Sequence, residues 1–125
     1  MTLADTSVWI DHLRSPRREL VELLGGTTVF MHPTILAEIA LGSLRDRKQT
    51  LFILDRLPMI RVAQMGEVRT MIERQALYSK GIGLTGAHLL ASCLLEPGTR
   101  LWTGDRRLQQ AAASMEIATG PGWTQ

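Results

Sequence analysis

The chain has 125 residues, enough for one compact domain with a real core and too few for two. Hydrophobic residues make up 45% and charged residues 21%, an ordinary globular balance, and no run approaches the roughly 20 apolar residues that span a bilayer. The formal charge of +2 permits contact with nucleic acid without establishing it.

The start, MTLADTSVW, lacks the basic opening and apolar run of a secretory signal, so a cytoplasmic protein is expected. The single cysteine, Cys93, cannot build a disulfide framework. It sits in the apolar stretch LLASCLL, where a small core residue is expected rather than a reactive thiol.

In chain order, TLAD reads as a short strand and VWIDHLR as a helix broken at Ser15-Pro16, because proline disfavours helix in the residue before it. RRELVELL is a second helix, stopped at Gly25-Gly26. TTVFMH is rich in β-formers, and Pro33 suits the first turn of a helix PTILAEIALGSL. RDRKQTLFILDRL is amphipathic and helical, MIRVA a strand, and EVRTMIERQALYSK a long helix. Gly81-Ile82-Gly83 makes a turn before the helix AHLLASCLL. RLWT is then a strand, DRRLQQAAASM a helix and IAT a weak last strand. Strands alternating with helices argue for an α/β fold over residues 1–125, with a mostly parallel central sheet flanked by helices.

In such sheets ligands gather beyond the carboxyl ends of the strands. Asp5 closes TLAD, Asp105 follows RLWT closely, and Glu38 lies on the first turns of the helix after TTVFMH. Three carboxylates from distant parts of the chain are therefore expected to converge. Carboxylates at close range repel unless a cation intervenes, and oxygen-only donors suit Mg²⁺ or Mn²⁺. Such an ion activates water and neutralises charge developing on a phosphate. Thr6, Ser7 and Thr103 surround the same edge, either orienting the carboxylates or capping the helices that follow; Asp105 is itself a credible cap.

ADTSVWID resembles the opening of the PIN-domain family, an acid at the end of the first strand followed by a Thr-Ser pair. PTILAEIALG, GIGLTGAHLLASCLL and LWTGDRRL resemble its second, third and fourth segments, so the likeness covers essentially the whole chain in order. The group it looks most like is the VapC toxins of type II toxin–antitoxin pairs. That resemblance implies a Mg²⁺- or Mn²⁺-dependent endoribonuclease acting on structured RNA such as tRNA. It also implies a homodimer silenced by a VapB-like antitoxin that inserts into a groove. Carried over by motif, Asp5, Glu38 and Asp105 are the acidic site residues.

The sequence departs from the family at Gly86, where the third segment carries an aspartate at the head of its helix. Losing even an outer partner of a metal typically costs about 10–100-fold in affinity or activity. His88, two residues on and roughly 200° around the helix, is expected to face elsewhere. Weak metal binding and poor RNA cleavage are therefore expected. A catalytically inactive PIN-fold module that only binds partners is the alternative.

A receiver domain and a DxD phosphohydrolase fit worse, since no acid pair attends the first strand and Asp5 is followed by Thr6-Ser7-Val8. Trp9 and Ile10, with the LFILDRL face, are expected either to pack into the core or to offer apolar surface to a partner helix. Trp102 is expected in the core. Met59, Met65, Met71 and Met115 are expected to fill core gaps, and GPGWTQ to be a loose tail held only through Trp123.

Overall fold

Thr2–Ala4 forms β1, and its Leu3 and Ala4 are completely buried. The computed structural model describes residues 1–26 and 28–120. Among these, β1 is the centre of a parallel three-stranded sheet ordered β2-β1-β3, with β2 at Val29–Phe30 and β3 at Arg100–Trp102. Leu3 lies opposite both Phe30 and Leu101, which fixes the register. Parallel strands need long crossovers. Here α1 (Thr6–Arg14) and α2 (Arg18–Gly25) join β1 to β2, while α3 (Pro33–Leu41), α4 (Arg47–Asp55), α5 (Met65–Arg74) and α6 (Leu84–Leu95) lead to β3. Helix α7 (Arg106–Ser114) follows. The α/β fold with a parallel sheet flanked by helices is as expected. No helix among the described residues is long and apolar enough to cross a membrane.

Several boundaries differ from the sequence reading. MIRVA is not a strand: Met59 makes one bridge to Met31, and Ile60 donates to the Met31 carbonyl at 2.9 Å. IAT likewise contributes one bridge, Leu101 to Ala118. These single bridges extend the sheet at its two edges without making a ladder. Helix α5 stops at Arg74 because Ala76 turns to φ 51° and Leu77 donates back to the Ile72 carbonyl at 3.0 Å. That closure, usually marked by glycine, drives Leu77 into the core. Helix α6 begins at Leu84, earlier than expected, with Gly83 as an extended N-cap.

Of the two readings of the first helix, core packing holds: Trp9 is buried and Ile10 packs partly against the core. Met59 and Met65 are exposed rather than gap-filling, whereas Met71 is buried as expected. Trp102 and Cys93 are core residues, and burial pushes the Cys93 thiol up to about 12, far from a reactive thiolate. Trp123 lies outside the described residues.

Candidate active site

Because all strands run the same way, the residues just past their ends share one edge. Asp5 follows β1, and its backbone N–H donates to the Trp102 carbonyl at 2.8 Å, tying it to the end of β3. Its carboxylate is held at both oxygens. Oδ1 accepts from the Thr6 backbone N–H at 2.7 Å, and Oδ2 accepts from the Thr103 hydroxyl at 2.7 Å. Thr103 Oγ1 in turn accepts from the Asp105 N–H at 3.0 Å. A single buried hydroxyl thus connects Asp5 to the backbone of Asp105 across nearly the full length of the chain.

Asp105 caps α7, its Oδ1 accepting from the N–H groups of Arg107 at 2.9 Å and Leu108 at 3.2 Å. Glu38 sits in the second turn of α3, which packs against α1, and its Oε1 accepts from the Thr6 hydroxyl at 2.9 Å. Ser7 Oγ accepts from the Gly104 N–H at 3.2 Å, pinning the first turn of α1 to the β3–α7 loop. A Cβ at Gly104 would stand 3.2 Å from that same oxygen, so the loop approaches as closely as glycine comfortably permits.

Asp5, Glu38 and Asp105 therefore lie along one edge, strung together by the hydroxyls of Thr6 and Thr103. Each carboxylate oxygen has two acceptor sites, so these bonds leave capacity for a ligand. Among the described residues, no three His, Cys, Asp or Glu side chains form a group that could hold a metal ion between them. The donor set nonetheless fits a hard cation that keeps several waters and is bound through one or two carboxylates plus substrate phosphate.

Gly86 is the third residue of α6. A Cβ there would stand 3.1 Å from Leu108 Cδ1 and 3.4 Å from Ile82 Cγ2. Leu108 lies in the turn of α7 that Asp105 caps, so position 86 faces that acid's end of the helix. The tight contact is with the far end of a flexible side chain, which can move by a few tenths of an ångström. His88, as expected, is not part of the acidic edge; its ring lies 6.3 Å from that of His32.

His32 was not foreseen as important. It is completely buried at the start of α3, and its Nδ1 accepts from the Thr34 N–H at 3.1 Å. Burial, aided by the neighbouring His88, pushes its pKa down to about 4. The signal available in the sequence was its place directly before Pro33, where an N-cap belongs.

The PIN domain family model matches residues 2–114. The chain belongs to the PIN domain family. It is of the VapC type. It is 43% identical over 118 residues to Ribonuclease VapC32 of Mycobacterium tuberculosis, in strains CDC 1551 / Oshkosh and ATCC 25618 / H37Rv, covering 94% of this chain and 95% of the relative. In this PIN domain the hydroxyl-linked acids fall within the matched region.

Proposed function

We propose that this PIN domain is a cytoplasmic toxin-type endoribonuclease whose edge of Asp5, Glu38 and Asp105 would take up Mg²⁺ or Mn²⁺ through one or two carboxylates at a time, with waters completing the shell. The observation that carries the reading is the hydrogen-bonded chain Glu38–Thr6–Asp5–Thr103–Asp105 at the carboxyl edge of a parallel sheet. The ribonuclease name of its relative supports RNA as the substrate, and the family likeness favours structured RNA such as tRNA.

When bound, the ion supplies charge neutralisation at a phosphodiester and an acidified water. The protein contributes the rest. Thr6 and Thr103 fix the carboxylate orientations, and the N-termini of α1 and α7 turn their positive ends toward the same edge. Arg106 and Arg107, exposed in the first turn of α7, are available to RNA phosphates. Gly86 stands where the family carries an acid, so metal binding would be weak and cleavage slow.

A VapB-like antitoxin is the proposed silencer, and a homodimer the proposed assembly. An antitoxin segment would lie over α4, where Phe52 and Ile53 are 61% and 55% exposed. Gly86 also favours a second reading, a PIN-fold module that binds antitoxin without cutting. Cleavage of RNA by the purified chain separates the two. The enzyme reading expects slow, Mn²⁺-dependent cutting that chelator abolishes and Asp5→Asn lowers at least about 100-fold. Antitoxin binding with no chelator-sensitive cutting supports the module instead.

A further inference from the structure

Four buried side-chain atoms have no hydrogen-bond partner among the described residues, and two of them belong to neighbouring imidazoles: His32 Nε2 and His88 Nδ1. A third, Ser92 Oγ, lies one turn along α6 from His88, on the same face. Orphaned buried polar atoms are rare and costly, so a pair of them on adjacent rings calls for a physical account.

The other end of His32 constrains the chemistry. Nδ1 accepts from the Thr34 backbone N–H at 3.1 Å and sits 2.9 Å from the Thr34 hydroxyl. A nitrogen that accepts a backbone N–H carries no proton, so the neutral ring carries its proton on Nε2. That N–H is buried and unpartnered, on a ring adjacent to that of His88.

At 6.3 Å between ring centroids, the nitrogens are beyond the roughly 3 Å of a direct bond. Zinc, with bonds of about 2.0–2.1 Å, would need the rings about 1 Å closer at a tetrahedral angle. Two nitrogens facing one point at this ring separation would accommodate a water about 2.8 Å from each, and the Ser92 hydroxyl, one turn along α6, is a further unpartnered polar group.

We propose that His32 is a positioning residue for the acidic edge: a water shared with His88 holds its ring as the Nε2–H tautomer, and Nδ1 then caps α3 and sets the place of Glu38. The inference rests on the reading of Glu38 as a metal-holding residue. Helix α3 is nine residues long; the His32 ring caps its start, while Arg47 donates to the Ala40 and Gly42 carbonyls at its other end. Buried Ile35 and Ile39 hold the helix to the core, the cap adds a directional tie at its first turn, and Glu38 lies within two turns of that tie.

The two nitrogens can be tested separately, since an Asn oxygen replaces Nδ1 and a Gln side chain reaches only toward Nε2. In the full chain, Mn²⁺ affinity by calorimetry is expected to fall about 10-fold in His32→Gln and by less than about 3-fold in His32→Asn. Amide exchange of Ala37 and Glu38 is expected to accelerate in His32→Gln alone, with α6 amides unchanged. Ring ¹⁵N shifts of the parent at pH 7 are expected to show the Nε2–H tautomer. An Nδ1–H tautomer, or equal losses in the two variants, or none in either, overturns the proposal. If the parent takes up no Mn²⁺, the reading of the acids fails, while the exchange rates still decide the role of His32.

Discussion

Asp105 combines a helix cap with a charge, and the two can be separated by substitution. Asn caps a helix about as well as Asp, whereas Ala does not. Asp105→Asn is expected to leave the urea midpoint nearly unchanged while lowering RNA cleavage by about 100-fold. Asp105→Ala should lose the same activity and in addition about 1 kcal/mol of stability. Equal stability for the two variants would show that the bonds to Arg107 and Leu108 contribute nothing. The cap and the place of Asp105 at a strand end were legible in the sequence, because strand RLWT ends just before it and an apolar-periodic helix begins just after. His32 was not. Its importance depends on burial and on a neighbour 56 residues away, neither of which a local pattern encodes.

Among the elements, α3 carries the clearest dependence on pH. His32 is a base whose pKa falls from 6.5 to about 4 on folding. Its contribution is therefore fully present above pH 6.5 and is lost as pH falls toward 4, because the unfolded chain takes up the proton first. The loss amounts to at most about 3 kcal/mol. Urea titrations at pH 7 and pH 4.5 should show it, and His32→Asn should flatten it; an undiminished slope in that variant would assign the effect to other groups. Helices with strong local signals, such as α3 with Pro33 and α1 with its Ser15-Pro16 stop, were readable at their ends. MIRVA and IAT were not, since whether an alternating stretch becomes a strand or one bridge depends on how much partner edge remains. The end of α5 was hidden for a different reason: Ala76 adopts a left-handed turn with no glycine to announce it.

At the scale of the whole molecule, the acids and the exposed residues of α4 lie on different elements, and we assign them separate tasks. Phe52 and Ile53 project outward, so Ile53→Asp is expected to change stability by less than about 0.5 kcal/mol. It should weaken binding of a VapB-like peptide at least 10-fold and leave RNA cleavage by the free protein intact. A binding titration beside a cleavage assay checks this. Loss of cleavage with unchanged peptide binding would reverse the assignment of the two surfaces. The acidic edge itself was largely legible, because strand ends in a parallel sheet must share a side. What the sequence did not reveal was that Thr6 and Thr103 stand between the acids, linking the Glu38 and Asp5 carboxylates and the backbone of Asp105 without gathering three carboxylates around one point among the described residues.

The most direct measurement restores the missing acid. In Gly86→Asp, Leu108 has to yield only slightly, and an acid in the first turn of α6 suits the helix dipole. Mn²⁺ affinity and chelator-sensitive RNA cleavage should both rise at least about 10-fold over the parent, with little change in melting temperature. A correctly folded Gly86→Asp protein with no gain in either would contradict the account.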